Sequence, residues 1–493
     1  TIKQFNFEGN TRFNNEELQQ QLTPYINKPI TFAQLIAART AITKFYTKNN
    51  YITSGAFIPP QTISDKGILT LQVVEGKVGE INVKIQGRLN ESYIKSRLEK
   101  ATATPLNQEK LLSALQILQT DPLVKTISAE LSSGVRPDTS ILDIKIETAN
   151  PWQIATISNN GRAPSVGTFR RGVEVGHRNI TGIGDSLNTL YTNTDGGDMV
   201  EVSYSIPVNS SNGRMELFYR HRDIMVVESP FERLDIESNS NTYKLSFSQP
   251  IMQTPWQTLS LGLSAIKRDS QTSILGENYP LSEGADDNGE TKLSILQFFQ
   301  DYQLLGKNQV LAFNSQFNLG LGILDATKNN SEPDSRFFYW RGQGKWVREL
   351  VKNTLLVVGA DIQLSSSDLV PRERFGLGGY RSVKAYRQDT RLTDNGALGT
   401  VELRLPIPWI SGKNRLFQVV PFIDGGVAWN SDGKEVEGSK ALAAAGVGLQ
   451  VNLWDKINMR LDYGIPLVDV DSRDKTAQEE GFYFSFSTTP FSF

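Results

Sequence analysis

Beyond Pro151-Trp152 the chain alternates apolar and polar residues in run after run. In Val200-Glu201-Val202-Ser203-Tyr204-Ser205-Ile206 the apolar side chains fall on one side of a strand, and Glu201, Ser203 and Ser205 on the other. Ile457-Asn458-Met459-Arg460-Leu461-Asp462-Tyr463 repeats the pattern with Arg460 and Asp462 on the polar side, and Tyr243-Lys244-Leu245-Ser246-Phe247 places Lys244 there too. Phe482-Tyr483-Phe484-Ser485-Phe486 closes the series. About sixteen such strands are predicted, with no convincing long helix among them. Before Asn150 the pattern is different, mixing helical and strand periods. A unit of roughly 75 residues occurs twice there: strand, short helix, longer amphipathic helix, then two strands. It starts at Phe5–Gly9 and again at Ile81–Gly87, and its last strands read alike, Ile68-Leu69-Thr70-Leu71-Gln72-Val73 and Ile141-Leu142-Asp143-Ile144-Lys145-Ile146. This places two small α+β modules at 1–77 and 78–150, ahead of a strand domain at 151–493. Each module leaves the edges of its sheet open, and an open edge is either a template for an extended peptide or simply blunted.

Alternation alone does not separate a soluble sandwich from a membrane barrel, so the connections decide. Short turns recur at 181–184, 209–213, 252–255, 305–308, 411–414 and 454–455, and longer polar segments fall between them at 223–241, 269–291, 325–334, 368–395 and 471–480. Short on one rim and long on the other is the habit of an outer-membrane barrel, whose strands need about 10 residues each. No run of about 18 apolar residues exists for a spanning helix. The chain ends in Phe491-Ser492-Phe493, directly after an aromatic strand that would pair with the first, and Phe493 is the terminus expected of such a barrel. It opens in a strand, as a trimmed mature product would.

Composition narrows the chemistry. Fifty-one basic residues against 53 acidic ones leave a charge of −2, so no field draws nucleic acid. There is no cysteine and there are two histidines, which removes thiol nucleophiles, iron–sulfur clusters and multi-histidine metal centres. No phosphate-binding glycine loop and no nucleophile–base set occur, and neither an enzyme nor a cofactor is expected.

The longest outer segment, about 367–395, holds Gly376-Leu377-Gly378-Gly379-Tyr380-Arg381-Ser382-Val383-Lys384-Ala385-Tyr386-Arg387. Two strands on comes Pro421-Phe422-Ile423-Asp424-Gly425-Gly426-Val427, where Phe422 and Asp424 share the lumen parity. A loop glycine-rich at its base and cationic at its tip can fold inward and offer Lys384 to Asp424. The plainer alternatives are a solvated loop charge and a wetted lumen carboxylate. Glu201, Lys244, Glu402, Arg404, Arg460 and Asp462 are expected to line the pore.

At these motifs the chain resembles the transporters of two-partner secretion, the TpsB family of ShlB/FhaC/HecB-like haemolysin secretion/activation proteins, within the superfamily that pairs POTRA modules with a barrel. The loop motif Val-Arg-Gly-Tyr/Phe stands here as Val383-Lys384-Ala385-Tyr386, and Phe-x-Asp-x-Gly as Phe422-Ile423-Asp424-Gly425-Gly426. Leu118–Lys125, Ala129-Glu130-Leu131 and Gly134–Asp138 match the family's segment in the second module. The resemblance implies two POTRA modules in the periplasm and a 16-stranded antiparallel transmembrane β-barrel in the bacterial outer membrane. It implies export of an unfolded TpsA-type exoprotein without nucleotide hydrolysis, outer-membrane lipid around the barrel, insertion by the barrel-assembly machinery, and a monomer. Lys384 and Ala385 depart from the motif, so Arg381 or Arg387 is an alternative partner for Asp424. Many relatives begin with a plug helix, and here it is expected to be absent or removed. A barrel-assembly factor is the other reading of the same parts; a passive porin would leave residues 1–150 without a task.

Overall fold

The computed structural model describes residues 1–63, 66–470 and 476–488. It divides into two compact units, Thr1–Ala149 with Gly182–Gly184, and Asn150–Thr181 with the chain from Asp185 onward. The first unit contains one fold twice. Its first copy runs β1 (Gln4–Glu8), α1 (Asn15–Gln21), α2 (Phe32–Lys48), β2 (Gly55–Phe57) and β3 (Ile68–Val74). The second runs β4 (Lys77–Gln86), α3 (Glu91–Glu99), α4 (Gln108–Gln119), β5 (Val124–Ser133) and β6 (Thr139–Thr148). The sheet orders are β1-β3-β2 and β4-β6-β5, each with one parallel and one antiparallel pairing.

Local chemistry sets these boundaries. Asn14 and Glu17 form a reciprocal cap on α1, each side chain accepting the other's backbone N–H at 2.8 Å, and Thr31 with Gln34 does the same for α2. Alternate residues of β1 and β3, Phe5, Phe7, Leu69, Leu71 and Val73, point at Leu18, Ile42 and Tyr46 of the helices. Each large apolar side chain removed from water in this way contributes roughly 1.5–3 kcal/mol. In the second copy Ile94, Leu98, Leu111 and Leu118 meet Leu142, Ile144 and Ile146.

The second unit is a closed barrel of sixteen antiparallel strands, from Trp152–Asn159 and Arg170–Arg178 through to Ile457–Pro466 and Phe482–Thr488. A two-residue strand, Glu277-Asn278, decorates one hairpin outside this count. Closure comes from Phe482–Thr488 pairing with the first strand at Ser485↔Asn159, Phe486↔Ser158 and Ser487↔Ile157. Closure leaves no strand edge, which is what a sheet in hydrocarbon needs. Phe493 lies outside the described residues. The wall has two chemistries: Leu217, Leu245, Leu263 and Ile423 stand exposed on the outer face, while Ser246, Ser264 and Asp424 are buried on the inner one. Among the described residues no helix is long and apolar enough to cross a membrane.

The expected rim asymmetry has one exception: Asp195-Gly196 is a tight turn on the long-loop rim. The strands also outrun their prediction. Glu237–Gln253, Gln257–Ile274 and Glu290–Gly306 take in residues expected as loop, because the ladder hydrogen bonds continue where Arg268-Asp269-Ser270-Gln271 is polar on both faces and the alternation is lost.

A carboxylate ties the first copy together. Glu75 accepts the Thr11 and Arg12 amides at 2.9 and 2.8 Å, the Tyr46 hydroxyl at 2.8 Å, and the Thr11 hydroxyl. Desolvation pushes its pKa up, but the Thr11 hydroxyl, the two amides and Tyr46 outweigh that and hold it below the ordinary range. A depressed carboxyl contributes stability that is full above the unfolded value of about 4.3 and is lost as pH falls through the lower folded value. Hydrogen exchange at Thr11 and Arg12, corrected for intrinsic rate, is therefore expected to quicken below that range and stay slow above it. Glu75→Gln should abolish the pH dependence.

Candidate functional site

The segment between the strands Thr354–Ser365 and Asn395–Pro406 folds into the barrel on its own small framework. Phe375–Leu377 pairs with Arg391–Thr393 as a hairpin, and Gly378 and Gly379, at φ 107° and 103°, turn the chain beyond it. Ser382 closes the turn by accepting the Gly378 amide at 3.0 Å, and Val383 O accepts the Gly379 amide at 2.9 Å. At the base, buried Glu373 pairs with Arg268 and accepts the Tyr339 hydroxyl at 2.8 Å. Asp394 accepts the amides of Leu369 and Ser431 at 2.8 and 3.0 Å.

Phe375, Leu377, Val383, Ala385 and Tyr386 then pack on Ala428, Leu442 and Ala444 of the wall. Glycines make the seat. A side chain at Gly426 would come within 2.5 Å of Leu377, one at Gly464 within 3.1 Å of Ala385, and one at Gly396 would strike the Phe375 ring. Tyr386 reaches across to donate to Ala443 O at 2.7 Å.

Lys384 ends in a charge network. Its Nζ lies 2.8 Å from Asp424 Oδ2, 3.8 Å from Glu402 Oε1 and 4.1 Å from the centre of the Phe422 ring. Its own amide donates to Asp424 Oδ2 at 3.3 Å. Glu402 in turn receives both guanidinium nitrogens of Arg460 at 2.8 and 2.9 Å, and Arg404 at 3.3 Å. Arg460 Nε donates to both oxygens of Asp462, at 2.8 and 2.9 Å. Three cations thus face three carboxylates, with Lys384 and Asp424 both buried. Buried charges persist only when paired in this manner. Phe422 spans the next two strands, its ring edge over Gly446 and Gly464. Below the loop a cavity of about 660 Å³ is lined by Tyr380, Lys384, Glu402, Arg404, Arg460 and Asp462 among others.

Of the residues singled out in the sequence, Val383, Lys384, Ala385, Tyr386, Phe422, Asp424, Gly426, Glu402, Arg404, Arg460 and Asp462 lie together. Glu201 and Lys244 sit elsewhere on the wall, paired with Arg220 at 2.6 Å and Glu216 at 3.2 Å. Gly425 has outward parity and leaves the seat to Gly426. Arg387 pairs with Glu228 and, at 3.9 Å, with Glu479, and Arg381 meets no carboxylate within ion-pair distance among the described residues, so neither substitutes for Lys384. Gly396, Gly446 and Gly464 escaped the sequence reading; their signal is glycine at lumen parity on neighbouring strands.

Residues 138–451 match the family model for the haemolysin secretion/activation protein ShlB/FhaC/HecB, and residues 1–76 that for the ShlB-type POTRA domain. The chain belongs to the ShlB/FhaC/HecB family. Its curated relatives include the heme/hemopexin transporter protein HuxB of Haemophilus influenzae, 23% identical over 96% of this chain and 84% of that protein. The outer membrane transporter CdiB of Escherichia coli is 24% identical over 96% and 79%. In fold the chain is similar to the solved CdiB from Escherichia coli (TM-score 0.77, 19% identity, 99% and 90% covered). It is also similar to BamA from Haemophilus ducreyi lacking POTRA domains 1–3 (TM-score 0.56, 12% identity, 99% of each chain).

In this ShlB/FhaC/HecB protein Ala385 at the loop tip is held at φ 72°, the left-handed region that costs an L-residue roughly 1–2 kcal/mol. Ala385→Gly should therefore raise the melting temperature of the detergent-solubilised protein, by about 1 kcal/mol in stability. An unchanged or lower melting temperature would show that the Ala385 methyl on Gly464 matters more than the strain.

Proposed function

We propose that the protein is the outer-membrane transporter of a two-partner secretion pair, taking a TpsA-type exoprotein from its periplasmic POTRA modules through the barrel. The observation that carries this reading is the loop drawn into the lumen and fastened by Lys384 to Asp424, in a POTRA-bearing barrel of the ShlB/FhaC/HecB family. A passive pore has no need of such a fastening, whereas a gate for an extended chain does. The names of the relatives support transport as well, HuxB being a heme/hemopexin transporter and CdiB an outer membrane transporter.

Recognition would use main-chain hydrogen bonds. In the second module β5 forms a sheet edge beside α4, whose Leu112 stays exposed and offers an apolar seat to an added strand. The exoprotein's own folding outside, worth on the order of 5–15 kcal/mol for an ordinary domain, would draw the chain out without nucleotide.

Asp424→Ala leaves Lys384 buried without its nearest carboxylate, a loss of about 3–5 kcal/mol for a pair of this kind. Export of the cognate exoprotein is expected to fall sharply while the barrel still migrates as a folded, heat-modifiable band. Full export by that variant would rule out the gating role. A photo-crosslinker placed at Ser128 in β5 is expected to trap the exoprotein's N-terminal segment; general loss of other barrels on depletion would favour an assembly factor instead.

A further inference from the structure

The inward loop touches the wall on two flanks with opposite charge accounting. On the Lys384 flank cations and carboxylates balance. On the other flank the loop presents Arg372 toward strands that carry Arg170, Arg220 and Arg222, Arg162 joins them from the outer rim, and Arg381, which lines the cavity on the Lys384 flank, acts on Arg170 from there. Arg170 on the strand Arg170–Arg178 and Arg220 and Arg222 on the strand Arg214–Met225 all have lumen parity, alternating with the outward Val173, Val175, Leu217 and Tyr219. Arg162, Arg170, Arg220 and Arg222 line a single cavity of about 200 Å³. Arg381 and Arg162 lie within electrostatic reach of Arg170, and Arg162, Arg372 and Arg220 within reach of Arg222.

The carboxylates nearby are engaged elsewhere or stand beyond ion-pair distance, Asp389 acting on Arg162 and the Arg268-paired Glu373 on Arg372 only from farther off. Glu201 is taken by Arg220 at 2.6 Å. Asp198 and Asp223 at the cavity's outer end are engaged by Tyr191 and Asn193 and by Asn239 and His221. Among the described residues Arg162, Arg170, Arg222, Arg372 and Arg381 have no carboxylate within ion-pair distance. What they do have is weak for a cation: Arg222 donates to Met199 Sδ at 3.4 Å and Arg372 to Ser240 Oγ at 2.8 Å. Among the described residues the buried Arg170 Nε has no hydrogen-bond partner. Like charges gathered in a partly dry wall, with forks left unfilled, are stable when an anion accepts their hydrogen bonds.

We propose that this arginine cluster is an oxyanion site of the lumen, filled by carboxylate or phosphate groups that pass through the pore. The site stands on the geometry; only the idea that acidic side chains of a transiting polypeptide are its usual occupants rests on the export reading. A guanidinium array suits that task because each fork takes a carboxylate in two parallel hydrogen bonds and releases it again to water.

The test uses the full detergent-solubilised chain without any exoprotein, so its outcome is separate from that of the export experiment. Fluorescent octaglutamate is titrated by anisotropy at low salt, with octalysine as the control and inorganic phosphate as competitor. Octaglutamate is expected to bind and octalysine not to bind. Arg170→Gln with Arg222→Gln, and separately Arg381→Gln on the loop, should each weaken binding, the double variant at least tenfold, with heat-modifiable migration showing that the barrel remains folded. Displacement by millimolar phosphate assigns the site to oxyanions in general, and resistance to phosphate assigns it to a chain of carboxylates. Equal affinity in wild type and both variants, or equal binding of octalysine, overturns the proposal. So does the absence of binding by both octaglutamate and phosphate, the latter read by thermal shift.

Discussion

The ammonium of Lys384 is removed from water inside a membrane barrel, and much of the inner architecture follows from the need to satisfy it. A lone ammonium in that position would carry a desolvation cost of several kcal/mol, which only close carboxylates can offset. Asp424 supplies the nearest one and Glu402 the second, and Arg460, Arg404 and Asp462 then balance what those carboxylates bring. The loop is therefore held by a network rather than by one bond, and displacing it would strand several charges together. A device of that kind favours two discrete states, loop seated or loop released, over a graded range of positions.

Packing fixes where the network can form. Gly396 and Gly426 leave bare backbone on the wall, so that Phe375 and Leu377 approach more closely than any side chain there would permit, while Ala385 rests on Gly464 at a distance that a Cβ there would only just meet. The second fastening, Glu373 with Arg268 and Tyr339, lies at the loop's root and restrains its entry rather than its tip. Root and tip are thus anchored to different strands, which allows the tip network to open while the root stays in place. The wall opposite is electrically different, being rich in arginine, and an extended polypeptide crossing the lumen would meet balanced charges on one side and unfilled guanidinium forks on the other.

Much of this was legible in the sequence because strands alternate. Phe422 and Asp424 fall on one face by parity alone, as do Arg460 and Asp462, and the two α+β modules announce themselves through repeated strand endings at Ile68–Val73 and Ile141–Ile146. The partnership of Glu402 with Arg460 was not legible, since it depends on how far neighbouring strands are staggered and no local pattern encodes stagger. Nor did the sequence reveal that Ala385 rests on Gly464: the two lie far apart in the chain and are joined only because the inward loop folds back against the strand Ile457–Pro466. Strand lengths failed for a related reason. Where both faces are polar the alternation that marks a strand disappears while its hydrogen-bond ladder continues, as at Arg268–Gln271.

Native chemistry offers a direct test of the seated loop, because the chain has no cysteine of its own. A Cβ at position 464 lies 3.1 Å from that of Ala385, close to the separation of about 3.5–4.5 Å found in disulfides. With Ala385→Cys and Gly464→Cys introduced together, mild oxidation of intact cells should join the two, with the linked peptides recovered by mass spectrometry. If instead the cysteine at 385 stays unlinked and reacts freely with a membrane-impermeant maleimide added outside, the loop is not seated in the lumen and the network around Lys384 is not what holds it.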